Sequence, residues 1–283
     1  MFYRVFKNNM IPFFQLNYFQ VGWLIIQVWG IFVASGIIAA TFYMTHLAKK
    51  YVLSEEVLLD ATIWVLVSAF FFARVFHVVF YNLDYYLQYP SEIVKFWHGG
   101  LSSTGGFFGA LLALYLFIKF RHFEAKEFLP YFDIMAVSLW LGFGIGRLGC
   151  FMTHMHPGRL ITATAGPRLG AVANFLAVQF PFGTRFDLGL LESLVDFALF
   201  AIFVLLFPKL IKKRWGLVAL YSSLSYAVAR FMLDFLRATD LPMSDVRYGY
   251  LTTAQWGMLV VIIGLTAAII FGKVRRRQKQ ISP

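Results

Sequence analysis

Apolar residues run along this chain in seven long blocks, at about 23–46, 57–82, 104–121, 131–152, 187–208, 216–237 and 252–272, parted by short polar or basic stretches. A hydrocarbon layer about 30 Å thick takes roughly 20 helical residues to cross, and the seven blocks are of that order. The pattern predicts an all-α polytopic membrane protein. It is a single domain, residues 1–283, of seven transmembrane helices, with no soluble domain of useful size left over. The first block has neither a strongly basic segment before it nor a small-residue cleavage site after it, so it reads as a retained span and not a signal peptide. Residues 153–186, between the fourth and fifth spans, form a connection longer than most loops. They read as a cap within that domain, and their "NFLAVQFP" alternates enough to form a short strand.

Hydrophobic residues make up 60% of the chain and charged ones 14%, whereas soluble domains are roughly half apolar and about a quarter charged. The net charge of +11 invites a nucleic-acid reading until the charges are placed. With the N-terminus outside, the inner segments hold 14 of the 25 basic residues, among them Lys49, Lys50, Lys212, Lys213, Arg275 and Arg276. The outer segments hold eight, and Arg74, Arg147 and Arg230 fall within spans. Basic residues collect on the cytoplasmic side, which makes the N-terminus and the 153–186 cap extracytoplasmic and the C-terminus cytoplasmic. The excess charge is then a topology signal and an attraction to anionic membrane lipids, and no nucleic-acid partner is expected. Cys150 is the single cysteine, so no intrachain disulfide forms. A monomer is the default.

An ionisable group at the bilayer centre costs at least about 2.5–3.5 kcal/mol, so the positions of such groups within spans are informative. Arg147 lies about 8 Å from the outer end of the fourth span, at 1.5 Å per residue. Arg230 lies at a similar depth in the sixth, and Asp234, four residues on, shares its helical face and can pair with it. Trp29, Glu192, His98 and Thr104 also fall near outer helix ends. Snorkelling to the headgroups is reading enough for Arg159 or Arg237. Around Arg147, Gly142, Gly144, Gly146 and Gly149 let another helix or a ligand approach the backbone. Arg74 is deeper and reads as the partner of a buried carbonyl or acid. In "WHGGLSSTGGFFGA" (97–110), Gly99, Gly100, Gly105, Ser102, Ser103 and Thr104 can form a re-entrant turn that meets an anion at the start of the third span. With two arginines at the same depth, the pattern points to a site for an anionic headgroup such as a phosphate.

Cys150, His154 and His156 raise the question of a metal, but Pro157 ends the helix and no C-x-x-C or H-x-x-x-H accompanies them. The plainer reading is a buried thiol with two interfacial histidines, with no metal and no cofactor expected. A seven-helix photoreceptor is excluded because the last block has no lysine for a Schiff base. A small-solute transporter is a further class; against it, the polar residues gather on one side and no two half-chains repeat each other.

At these residues the chain resembles the prolipoprotein diacylglyceryl transferases. "GRLGCFMTHMHPGR" (146–159) is similar to the family's G-R-x-G-N-F-x-N signature with its later G-R, "RFDLGLLE" (185–192) to H-P-S-Q-L-Y-E, and "ARFMLDFLR" (229–237) to R-x-x-x-[ED]-x-x-R. "RVFHVVFYNLDYYLQYP" with "FWHGGLSSTGG" resembles the second span and the glycine-rich entry to the third, and "AQW" (254–256) sits where the family has G-Q. The resemblance implies an enzyme of the bacterial cytoplasmic membrane that moves a diacylglyceryl group from phosphatidylglycerol to the lipobox cysteine of a prolipoprotein signal peptide, with its active site towards the extracytoplasmic side. It implies that Arg147 and Arg230 bind and activate the headgroup. It places Trp29, Gly99, Gly100, Thr104, Gly105, Cys150, Gly158, Glu192, Asp234 and Arg237 at substrate. The family's histidine before the paired glycines is Thr104 here, its asparagines are Cys150 and Thr153, its acidic residue in the signature is Met155, and its first-span tyrosine is Trp29. The base that takes the thiol proton is therefore missing from its usual place; His98, His154 or His156 can stand in for it, or the field of the arginines can suffice. A paralogue that binds lipid with another acceptor or no activity is the alternative these departures leave open.

Overall fold

The computed structural model describes residues 10–22, 24–95, 99–161, 175–242 and 244–281. In chain order come β1 (Ile11–Pro12), β2 (Tyr18–Val21), β3 (Leu24–Gln27), α1 (Val28–Lys50), α2 (Glu55–Tyr81), α3 (Leu83–Gln88), a 3-10 turn (Pro90–Val94), α4 (Ser103–Phe120) and α5 (Leu129–Thr153). There follow β4 (Pro157–Leu160), β5 (Ala177–Phe180), β6 (Gly183–Asp187), α6 (Leu188–Lys213), α7 (Leu217–Leu233), a second 3-10 turn (Asp234–Leu236), β7 (Arg247–Tyr248), β8 (Leu251–Thr252) and α8 (Thr253–Ile281). The chain divides into two compact units, Met1–Ala40 with Ala136–Pro283, and Thr41–Met135.

Among the described residues six helices are long and apolar enough to cross a membrane: α1, α2, α4, α5, α6 and the Thr253–Phe271 part of α8. The fold is mostly helical and polytopic. Two blocks depart from their predicted extents. Residues 24–27 form β3, paired antiparallel with β2 from Tyr18↔Gln27 to Val21↔Leu24, so the first helix starts only at Val28. The 216–237 block yields a helix of 17 residues, begun after Gly216 at φ +90° and closed by the tighter turn at Asp234. Apolar content does not register where a backbone leaves the helix. The all-α expectation is corrected by β1–β8, strands of two to five residues, most too short to show the alternation that marks a strand in sequence. The exception is β5, which lies inside "NFLAVQFP".

In the Thr41–Met135 unit, α2 and α4 pack backbone to backbone. A Cβ on Gly109 would stand 2.5 Å from the Ser68 carbonyl, and one on Gly105 would stand 2.3 Å from that of Phe72. The Ser68 hydroxyl donates to the Gly109 carbonyl at 2.8 Å. Ser54 caps α2 and Ser102 caps α4, each hydroxyl accepting from the N–H three residues on.

In the other unit, β1–β5–β6–β4 form one sheet, with β1 parallel to β5 and the remaining pairs antiparallel. The N-terminal segment also closes the end of α5: Leu16 N–H donates to Met152 O at 3.0 Å and Gln15 Nε2 to Thr153 O at 3.0 Å, filling carbonyls that a helix end leaves open. Against α5, α6 lays Ser193, whose hydroxyl donates to Gly144 O at 2.8 Å. From the opposite direction comes α1, where a Cβ on Gly36 would stand 2.5 Å from Gly142 O. Overpacking of this kind costs typically 1–3 kcal/mol, roughly. Gly36→Val and Gly142→Val are expected to lower the melting temperature of detergent-solubilised protein, while Gly264→Val, whose Cβ would meet open space, leaves it within a degree or two.

Candidate functional site

Three arginines of the larger unit meet around one carboxylate. Glu192, in the second turn of α6 and only 3% exposed, takes Arg147 of α5 on Oε2, 2.8 Å from its Nε. On Oε1 it accepts a close hydrogen bond from Arg230 Nη1 of α7. Arg237 Nη2 stands 4.0 Å from the same oxygen. A second carboxylate, Asp234, receives Arg230 Nη2 at 3.3 Å and Arg237 Nε at 2.7 Å on Oδ1, and the Thr252 hydroxyl donates to its Oδ2. Arg237 completes its bonds on Asp245 at 2.6 Å.

Local sequence explains how each group is held. Thr252 and Gln255 form a capping box at the start of α8: Thr252 N–H donates to Gln255 Oε1 at 2.9 Å and Gln255 N–H to the Thr252 hydroxyl at 3.1 Å. Gln255 Nε2 also donates to Phe231 O at 3.2 Å, tying α8 to α7 beside Arg230. Gly158 makes an antiparallel bridge with Arg237, and a Cβ there would stand 2.8 Å from Leu236 O and 3.0 Å from Phe186 O. Arg185 of β6 fastens the far side. Its Nη1 donates to Gly158 O at 3.1 Å, and its guanidinium grips Asp240 at 2.9 and 2.5 Å. That grip, chiefly its hydrogen bonds, pulls the Asp240 carboxyl down to about 2.

The three arginines are unequally available. The side chain of Arg230 is 10% exposed and that of Arg237 15%, but that of Arg147 is 27% exposed, with Nη1 4.0 Å from Cys150 Sγ. Arg147 is thus the most exposed of the three guanidinium groups. Trp29 sits in the first turn of α1 with its ring exposed and its Cα against Gly149 of α5, one residue from Cys150. The structure so brings Arg147, Cys150, Trp29, Gly158, Glu192, Arg230, Asp234 and Arg237 into one unit.

The other predicted residues fall elsewhere. Gly99, Gly100, Thr104 and Gly105 belong to the Thr41–Met135 unit, and His98 lies outside the described residues. There buried Arg74 donates to the carbonyls of Glu92, Ile93, Lys95, Gly99 and Gly100 at 2.6 to 3.4 Å, so its partners are carbonyls, as expected, though on residues that are themselves half-buried or exposed. Gly99 and Gly100 hold φ +89° and +79°. Thr104 is exposed in the first turn of α4, and Gly105 is buried against Phe72 and Phe76. His154 is buried and spends Nδ1 on Asp187. Half-buried His156 is held at about 4, first by burial and then by the positive fields of Arg147, Arg237 and Arg230. It is therefore neutral, and a weak base, at pH 7.

Sequence reading passed over Asp245, Arg185 with Asp240, and Asp196. Asp196 lies one helical turn beyond Glu192, buried, and its Oδ1 has no hydrogen-bond partner among the described residues. A carboxylate inside an apolar span was the available signal for it. For Thr252 the signal was the T-x-x-Q spacing.

Fold and site together define a polytopic membrane protein with a buried arginine–carboxylate network. The sequence model of the prolipoprotein diacylglyceryl transferase family matches residues 17–271. A phosphatidylglycerol–prolipoprotein diacylglyceryl transferase of Limosilactobacillus reuteri is 31% identical over 265 residues, 93% of this chain and 91% of the relative. Those of Fervidobacterium nodosum and Staphylococcus xylosus are 31% and 30% identical, covering 97% and 95% of this chain and 90% and 93% of their own. The chain belongs to the prolipoprotein diacylglyceryl transferase family.

Removing one member of a buried ion pair leaves an uncompensated charge and costs about 3–5 kcal/mol. Glu192→Gln is expected to destabilise by that order in thermal unfolding, where exposed Glu56→Gln changes little. For His156 the folded value lies below the ordinary 6.5 or so, so the unfolded state binds more protons between the two. Its contribution to stability is complete above about pH 6.5 and is lost as pH falls towards 4. Melting temperature should fall over that window, and His156→Gln should remove about one proton from the slope.

Proposed function

We propose that this chain transfers the diacylglyceryl group of phosphatidylglycerol to the lipobox cysteine thiol of a prolipoprotein, forming a thioether and releasing glycerol phosphate. The observation that carries the reading is Glu192 holding Arg147 and Arg230 side by side within a membrane protein of this family. In the reaction a base removes the thiol proton, and the sulfur bonds to the glyceryl carbon as that carbon's bond to the phosphate oxygen breaks. The phosphate leaves with the bonding pair. Guanidinium groups fixed in advance stabilise that negative charge without reorganising, and in a dry site they do so strongly. Arg147, the more exposed cation, meets the phosphate first, and Arg230 deepens the field behind it.

In this reading Trp29, Cys150, Gly158, Glu192, Asp234 and Arg237 surround the reacting lipid and acceptor, and Gly99, Gly100, Thr104 and Gly105 contact phospholipid from their own unit. His98 takes the thiol proton. Neutral His156 is a poorer candidate, and His154 is occupied by Asp187. We further read α7 as a membrane span too, the sixth in chain order, which brings the number to seven, with the N-terminus and active site extracytoplasmic in the bacterial cytoplasmic membrane, residues 153–186 as the cap that meets the signal peptide, and the protein as a monomer. The bias of basic residues along the chain supports that orientation.

The test is transfer of a diacylglyceryl group, radiolabelled in its acyl chains, from phosphatidylglycerol to a lipobox peptide by purified protein. Wild type is expected to transfer, Arg147→Ala and Arg230→Ala each to lose about 100-fold or more, in the range seen when one charge-stabilising donor is removed, and His98→Ala to lose rate with little change in KM. Folded wild type that binds phosphatidylglycerol but transfers nothing to its own host's lipoprotein peptide would replace this reading with that of a lipid-binding paralogue.

A further inference from the structure

Where α5 ends and α6 begins, one buried pair joins them. His154 follows the last residue of α5 in the left-handed region at φ +47°, and its N–H donates to Phe151 O at 3.1 Å. Such a backbone is costly for a residue with a side chain and persists where its surroundings over-determine it. Asp187 is the N-cap of α6: its Oδ1 accepts from Leu190 N–H at 3.1 Å, and its Oδ2 lies 2.7 Å from His154 Nδ1. One carboxylate thus caps one helix while gripping the end of the other. The joint is tight in the main chain as well. Leu188 N–H donates to His156 O at 3.0 Å, and a Cβ on Gly189 would stand 2.7 Å from Phe151 N.

Water is kept from the pair. Phe13 stacks on the imidazole with centroids 5.0 Å apart, and Phe14, Phe151 and Phe180 surround it at 5.0 to 5.3 Å. The His154 side chain is 1% exposed and that of Asp187 0%. Nε2 has no hydrogen-bond partner among the described residues. In this dry setting the Nδ1–carboxylate bond is strengthened, and no acceptor thiol reaches Nε2 through the ring of phenylalanines.

From this joint, Arg147 lies about 10 Å back along α5 and Glu192 about 7.5 Å along α6, at 1.5 Å per residue. We infer that His154 and Asp187 are positioning residues, a clamp that sets the crossing of α5 and α6 so that Arg147 Nε meets Glu192 Oε2. Neither touches the arginine network; both act through the helices that carry it. The inference rests on the reading that Arg147 contacts phosphatidylglycerol.

The experiment measures kcat, KM for phosphatidylglycerol, KM for the lipobox peptide, the pH–rate profile and melting temperature for full-length protein in nanodiscs. His154→Ala is expected to raise KM for phosphatidylglycerol at least fivefold, with the peptide KM within twofold and the pH profile unchanged in shape. His154→Asn, which tolerates the left-handed backbone and retains a donor, should restore most of the loss. His154→Ala combined with Asp187→Asn should be no worse than the worse single change, since both break one bond. Three results would overturn the clamp: an unchanged KM for phosphatidylglycerol, equal losses for both substrates in step with melting temperature, or a kcat loss that removes a limb of the pH profile, the mark of a base. Arg147→Gln separates the two levels. If it raises the phosphatidylglycerol KM while His154→Ala does not, the clamp alone fails; if it leaves that KM unchanged, the headgroup reading fails and the clamp with it.

Discussion

A carboxylate shared by two arginines in a low-dielectric interior is the constraint around which the larger unit is arranged. Glu192 stands 3% exposed between Arg147 and Arg230, and a charge so placed is tolerable only where its counter-charges are fixed within hydrogen-bond reach. Three helices must therefore arrive at one point in register. The close glycine contacts of α5 with α1, the seating of Ser193 on the Gly144 carbonyl and the capping box that ties α8 to α7 all serve that register. The network also fixes its positive charge in place, since two carboxylates, Glu192 and Asp234, hold the guanidinium groups of Arg147, Arg230 and Arg237.

How much of this could be read from the sequence depends on the distance over which each signal acts. Apolar runs act locally, and six of the seven blocks became helices long enough to span. Arg147 and Arg230 were visible because a charge within such a run is conspicuous, and Asp234 because it follows Arg230 by one helical turn. Glu192 was marked by its place near an outer helix end, whereas Gly158 came from the family resemblance, and the structure gives Gly158 its physical reason, a site with no room for a side chain. What escaped is long-range pairing. Arg185 finds Asp240 55 residues away, and His154 finds Asp187 33 residues away; neither partner is marked by its neighbours. The sheets, β5 apart, escaped for the opposite reason, their strands being too short for a two-residue alternation to repeat.

The position of Cys150 shows why residue type alone misleads. A lone cysteine beside two histidines suggests a metal, yet the thiol lies buried beside Arg147, one histidine is turned to Asp187, and the other is kept neutral first by burial and then by the arginines. The same three residues that looked like one constellation belong to three separate environments.

Thr252 gives the site a mechanical connection to the bilayer. Its hydroxyl both bonds Asp234 and receives the N–H of Gln255 at the head of α8, a helix whose apolar stretch is only 6% buried within the protein. A helix so open to lipid adjusts its tilt when the thickness of the hydrocarbon layer changes. Because the head of α8 is bonded to a ligand of Arg230 and Arg237, the spanning helix that keeps the least of its apolar stretch inside the protein is fastened directly to the arginine network.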